Sequence, residues 1–194
     1  MAEDECIRLL QTVVQRAKPK VQDRDLAMVI LFLATGLRAS ELCNLKLSDV
    51  NLREKQIKAV RKGGKEQYLN LNGEAMRALT RHVMAGGQSK NGWLFVSARG
   101  QRLRRASVYG VVRKYLRLAN IDKGKWGPHM LRHSFCTILP QKAVDPFVIQ
   151  NLAGHKSLQT TMRYVRIGNN EETEAVSRLE FGIFQPLVEE HSTP

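Results

Sequence analysis

The sequence predicts a mainly α protein with one small antiparallel sheet, an α+β fold. Three observations carry that expectation. Apolar residues recur at helical spacing along most of the 194 residues, strict alternation is confined to one stretch around QYLNL, and no Gly-, Pro- or Ser-rich linker divides the chain. A chain of this size removes roughly 70% of its unfolded surface from water, so an apolar content of 43% is enough for one ordinary core.

The elements follow in order. Residues 4–16 and 24–35 carry apolar residues at helical spacing, with Asp23 as the expected N-cap of the second segment. Gly36 suits the left-handed position that ends a helix. A short helix then runs through Leu45, because Leu42 and Leu45 fall three apart. Residues 56–60 and 66–71 read as a β-hairpin turning at Gly63-Gly64. Helical patterns resume over 73–85, 105–119, 129–139, 146–153 and 158–166. Pro128 and Pro146 sit where a first helical turn tolerates proline, and Asp145 and Ser157 are suitable caps. Pro140 is expected to shorten the helix that contains it. A last helix is expected over 171–180, capped by Asn170.

Charge narrows the class of partner. Thirty-one basic residues against 18 acidic give a net charge of +13 and a pI near 10.1. Such an excess favours a polyanion, and nucleic acid first. It is concentrated mid-chain: residues 99–117 hold seven basic residues and no acid, and residues 53–65 hold six basic and one acidic. Residues 171–194, by contrast, hold six acids and one base. Cys6, Cys43 and Cys136 lack the paired spacing of a zinc or redox motif and read as reduced, buried thiols. The longest apolar run, residues 26–34, is far short of the ~20 residues a bilayer span needs. A soluble, cytoplasmic protein without membrane contact is expected.

Several side chains stand out as candidates for chemistry, each weak alone. Arg38 follows the helix-ending Gly36-Leu37 at the mouth of a new helix, and Glu41, three residues on, is within reach of its guanidinium. His129 and Arg132 share a face in the first turn after Pro128, where unpaired amides favour an anion. A zinc reading of His129 and His133 is poor, because Met130 stands where a zinc protease motif needs Glu. Leu152-Ala153-Gly154-His155 ends one helix, and Tyr164 follows His155 by nine residues.

With these residues in hand, the chain closely resembles the catalytic domain of the tyrosine recombinases, the Xer and phage-integrase family. The matching segments are Ala34-Thr35-Gly36-Leu37-Arg38-Ala39-Ser40-Glu41-Leu42, Lys62-Gly63-Gly64-Lys65, His129-Met130-Leu131-Arg132-His133-Ser134-Phe135, Leu152-Ala153-Gly154-His155 and Tyr164. Each is weak alone; five in order, across about residues 5–170, are specific.

The resemblance implies the tyrosine recombinase catalytic-domain fold and a site-specific DNA recombinase or integrase that breaks and rejoins double-stranded DNA. It implies that Arg38 and Arg132 clamp the oxygens of the scissile phosphate and that Tyr164 is the nucleophile, forming a 3′-phosphotyrosine. His129 is then the candidate base and His155 a donor to the phosphoryl oxygens. Lys62 is the candidate acid for the leaving 5′-oxygen, with Lys65 the alternative. No cofactor, metal or nucleotide is required, because the phosphotyrosine conserves the energy of the broken ester. Lys65, Arg102, Arg104 and Arg105 are further expected DNA contacts.

The resemblance also sets expectations for organisation. The catalytic domain is expected over 1–180, without the family's separate N-terminal domain, in either a fragment or a naturally short form. The apolar tail within 181–194 either folds back or docks on a neighbour in a DNA-bound homotetramer that is monomeric or weakly associated without DNA. A topoisomerase-like enzyme that reseals the original strand, and a regulator that kept the fold without the chemistry, are the rival readings.

Overall fold

The computed structural model describes residues 1–61, 63–86, 91–97, 99–122, 124, 126–155 and 157–164. Among these, eight α-helices surround a small sheet: α1 (Glu3–Arg16), α2 (Pro19–Thr35), α3 (Ala39–Cys43), α4 (Gly73–Met84), α5 (Arg105–Leu118), α6 (Pro128–Gln141), α7 (Pro146–Ala153) and α8 (Leu158–Met162). The sheet has strand order β1-β2-β3, with β1 (Val50–Asn51), β2 (Gln56–Val60) and β3 (Glu66–Asn70), all antiparallel. The mainly α, α+β expectation is met.

Helix α2 is the axis of the molecule, packed against α1, α4 and α6. From Leu26 onward its sequence is apolar nearly all round, the pattern of a helix covered on every side. Ala27, Met28, Val29, Leu31 and Phe32 are fully buried, against Leu9 and Val13 of α1, Leu79 of α4, Val112 and Leu116 of α5 and Leu131 of α6. The polar groups in this core are matched: the Tyr115 hydroxyl donates to Asp25 at 2.8 Å, and Arg24 Nη2 donates to the same carboxylate at 2.7 Å. All three cysteines are buried and none forms a disulfide.

A second, smaller cluster lies at one end of the molecule. There Phe135, Cys136 and Ala153 are buried, with Leu139, Leu152 and Tyr164 packed on them. Two left-handed glycines tie this cluster to the main core. Gly36 (φ 61°) caps α2, donating its N–H to Phe32 O, and a Cβ there would stand 2.6 Å from the Phe135 ring. Gly154 (φ 62°) caps α7 in the same way. Only glycine meets both demands at Gly36, a positive φ and the absence of a Cβ.

Several boundaries differ from the sequence reading; the short helices α3 and α8 end at Cys43 and Met162, before the expected Leu45 and residue 166. Helix α2 starts at Pro19, with Lys18 as N-cap, so Asp23 lies inside the helix and its carboxylate meets Arg81 at 2.8 Å. The two-residue β1 pairs with the start of β2 and has no alternation to reveal it. Helix α6 runs through Pro140 to Gln141 rather than stopping at 139. It closes with Ala143 in the left-handed region (φ 57°), whose N–H bonds to Pro140 O while Val144 N–H bonds to Leu139 O. That 6→1 and 5→2 pair completes a Schellman motif. The caps Asp145 and Ser157 both accept backbone N–H groups, as expected. The expected helix over 171–180 lies outside the described residues.

Candidate active site

Arg132 forms the floor of the site. It faces inward from the second turn of α6, one turn before Phe135, and is only 8% exposed. Its Nη1 donates to Gly36 O and its Nη2 to Ala153 O at 2.6 Å, so one guanidinium bridges the ends of α2 and α7. Both of these partners are carbonyls rather than carboxylates. Burial and the neighbouring Arg38 charge lower its pKa to about 10, leaving it charged at neutral pH.

Arg38 sits beside it as N-cap residue of α3. The expected contact to Glu41 is present: Arg38 Nη1 donates to Oε1 at 2.8 Å, the Arg38 backbone N–H donates to Oε2 at 2.8 Å, and Nη2 approaches Gly154 O at 3.4 Å. Glu41 is 4% exposed. Burial opposes its ionisation, but the Arg38 amide and the Arg61 and Arg38 charges outweigh this and hold its carboxyl below the ordinary range.

His155 follows Gly154, and its Nδ1 lies 2.9 Å from Thr161 Oγ1. Burial, then Arg132, Arg38 and Arg61, lower its pKa to about 4, so the ring is neutral at pH 7. In the tautomer in which the Thr161 hydroxyl donates to Nδ1, the ring proton is on Nε2 and that nitrogen can donate. Tyr164 is one turn beyond Thr161, with its N–H on Thr161 O at 2.9 Å. Its ring stacks on His155 at 6.4 Å between centroids and meets His133 edge-on at 5.0 Å. Burial raises the phenol above its ordinary pKa, Cys136 adds to this, and Arg132 and Arg163 oppose it.

Arg38, Arg61, Lys65, Gln67, Gly154 and His155 line one cleft of about 550 Å³. Tyr164 lines a second groove of about 860 Å³ with His133, Thr137 and Arg163. The structure thus gathers Arg38, Arg132, His155 and Tyr164 around the two glycine caps, with Lys65 on the cleft's rim. His129 is exposed and stands edge-on to Tyr109 at 5.9 Å, whereas Arg132, on the same helix, is buried. Lys62 lies outside the described residues. Arg102, Arg104 and Arg105 are exposed at the start of α5, with Arg102 5.0 Å over the Trp93 ring. Three residues of the site had no signal of their own in the sequence: Arg61, Gln67 and Thr161.

Comparison with known proteins decides the relationship. The Phage integrase family model matches residues 1–171. The chain belongs to the phage integrase family. Among curated members, it is 36% identical over 183 residues to the tyrosine recombinase XerA of Pyrococcus furiosus, covering 92% of this chain and 60% of that protein. It is 38% identical over 152 residues to XerD of Proteus mirabilis, covering 76% of this chain and 49% of that one. The chain therefore spans about half to three-fifths of the length of these relatives. A solved XerH site-specific recombinase, bound to its difH substrate in a pre-cleavage complex, superposes with a TM-score of 0.81 at 29% identity, covering 91% of this chain and 53% of that one. These integrase-family matches place the five quoted segments within one shared domain. No helix among the described residues is long and apolar enough to cross a membrane.

Proposed function

We propose that this chain is the catalytic portion of a site-specific DNA recombinase that cleaves and rejoins strands through Tyr164. The observation that carries the reading is the convergence of a half-buried tyrosine, a neutral histidine and two arginines on one pair of helix ends. Arg38 and Arg132 hold the non-bridging oxygens of the scissile phosphate, a task suited to rigid forks that keep their charge. The Tyr164 oxygen attacks phosphorus as its proton passes to a base, for which His129 is the candidate. The bond to the 5′-oxygen breaks, and a hairpin lysine, Lys62 or Lys65, delivers a proton to that oxygen. His155 donates from Nε2 to the phosphoryl oxygen whose charge grows in the transition state. A free 5′-hydroxyl then attacks the phosphotyrosine and reseals the strand.

The high phenol pKa fits this order: Tyr164 waits protonated, and the phosphate and its clamp must be in place before it ionises. Arg102, Arg104 and Arg105 contact backbone phosphates, and the partner is double-stranded DNA held by a homotetramer. The catalytic domain extends over 1–180 with residues 181–194 as a docking tail, in a cytoplasmic protein.

A suicide-substrate assay tests the proposal. Nicked duplexes carrying candidate recombination sites should form a denaturant-resistant adduct with the wild type and none with Tyr164→Phe, which retains salt-sensitive DNA binding. Replacing Arg102, Arg104 and Arg105 by Ala should weaken that binding and flatten its salt slope. An adduct that persists in Tyr164→Phe would remove Tyr164 as the nucleophile.

A further inference from the structure

Arg61 is a buried arginine in an exposed place. It directly follows β2, the first strand of the hairpin, and precedes Lys62 in the chain, with exposed neighbours at Val60, Gly63, Gly64 and Lys65. Yet it is only 7% exposed itself. All three of its guanidinium nitrogens are engaged: Nη1 with Glu41 Oε2 at 2.6 Å, Nη2 with Leu152 O at 2.7 Å, and Nε with Gln67 Oε1 at 2.8 Å. Gln67 in turn donates to Asn151 O at 2.8 Å. The Arg61 side chain also lies against Gly154, where an added Cβ would stand 3.2 Å from Nε.

These bonds join three of the segments that carry the reacting groups. Glu41 belongs to the helix that Arg38 caps, Leu152 and Gly154 lead into His155, and the hairpin bears the lysines. Glu41 divides its oxygens between the two guanidinium groups, Oε1 to Arg38 and Oε2 to Arg61, and Oε2 also accepts the Arg38 backbone N–H. The Arg61 backbone N–H is bonded to Lys65 O at 2.8 Å, so the base of the turn is fixed by the same residue.

We propose that Arg61 is a positioning residue that locks the lysine-bearing hairpin to the Arg38 and His155 segments, so that the acid is held ready at the leaving oxygen. The inference rests on the reading of a hairpin lysine as general acid. An arginine with only a folding role would serve every step of cleavage alike. One that positions the acid matters for the departure of the 5′-oxygen and little when the leaving group needs no proton. Placing the lysine is also a matter of geometry, so a loss of order here costs rate before it costs binding.

The test uses two suicide substrates, one with the natural 5′-bridging oxygen at the scissile phosphate and one with sulfur there, whose thiolate leaves unprotonated. For Arg61→Gln we expect the single-turnover cleavage rate to fall 10- to 100-fold on the oxygen substrate and less than about 3-fold on the sulfur substrate, with DNA affinity retained. Arg61→Lys, which keeps the charge but loses the fork, should show the same split more weakly, and it stands in if Arg61→Gln does not fold. Equal losses on both substrates, or no loss on oxygen, would overturn the proposal. Lys62→Ala and Lys65→Ala separate the two ideas. If sulfur rescues neither, the lysine reading falls and the role of Arg61 with it; if sulfur rescues one of them but not the Arg61 variants, the role of Arg61 alone falls.

Discussion

The site has two halves built on different principles. On the floor, helix ends are closed by glycine at Gly36 and Gly154, and their carbonyls face the guanidinium groups of the buried Arg132 and the half-buried Arg38. On the nucleophile side, Tyr164 rests on a small separate cluster and is held by ring contacts, beside a helix end closed by alanine in the left-handed region at Ala143. The floor is continuous with the main core through α2, while the other half rests on α6, α7 and α8. The difference suits the two tasks. A phosphate clamp gains from being rigid before the substrate arrives, whereas a nucleophile must approach, react and withdraw.

The largest effect should come from breaking the floor. Arg132→Lys keeps a charge but cannot reach both carbonyls with a planar fork, so Gly36 O or Ala153 O loses its donor and the phosphate its paired contact. Single-turnover adduct formation should drop by about 10²–10³, the range seen when one transition-state donor is removed. A change below tenfold would mean that charge alone suffices there.

Next in size is the cap beneath it. In Gly36→Ala the added Cβ meets the Phe135 ring at 2.6 Å, in a backbone region that disfavours any L residue. Left-handed strain of about 1–2 kcal/mol and overpacking of about 1–3 kcal/mol, less the about 0.4–1 kcal/mol that alanine regains by restricting the unfolded chain, should lower unfolding free energy by about 1–4 kcal/mol. Chemical denaturation measures it; an unchanged midpoint would show that α6 can shift away from α2 without cost.

The electrostatic contrast between the halves is open to titration. His155 is the residue where the floor's charge reaches the nucleophile side, and its pKa of about 4 comes from burial first and the arginines next. The sign follows from linkage. Between the ordinary histidine value of about 6.5 and about 4, the unfolded chain binds a proton that the folded site refuses, so stability should fall with pH through that window. NMR of the DNA-free protein should find His155 titrating near 4, and bound DNA, by adding negative charge among the arginines, should raise it. Titration near 6.5 without DNA would show that the arginine charges do not reach the ring.

Local signals explain what was legible in the sequence. The break at Gly36, the hairpin turn, the caps Asp145 and Ser157 and the Arg38–Glu41 contact each depend on residues within about four positions. The start of α2 was missed because Lys18 makes no side-chain cap, while Asp23 resembles a cap but takes its partner, Arg81, from another helix. Arg61 was hidden for the same reason. In a run of basic residues it reads as one more solvated charge, and its partners lie 20 residues back at Glu41 and 91 ahead at Leu152. The inward turn of Arg132 likewise depends on Gly36, 96 residues earlier.

The smallest effect should come from Ala143, and it sharpens the comparison most directly. At φ 57° alanine bears about 1–2 kcal/mol of left-handed strain that glycine would not. Glycine gives back about 0.4–1 kcal/mol through the greater freedom of the unfolded chain, so Ala143→Gly should stabilise the protein by about 0.5–1 kcal/mol. For a domain of this size that raises Tm by about 1–4 °C. The same exchange of glycine and alanine thus runs in opposite directions in the two halves, costing stability at Gly36 and adding it at Ala143. Ala143 also lines the groove that holds Tyr164, so the measurement has a functional side. If the nucleophile side works because its support is loosely held, Ala143→Gly should raise Tm while leaving adduct formation unchanged or slower. A faster adduct would instead mean that the wild-type strain merely misplaces Tyr164, and the division of the site into a rigid floor and a yielding nucleophile would be lost.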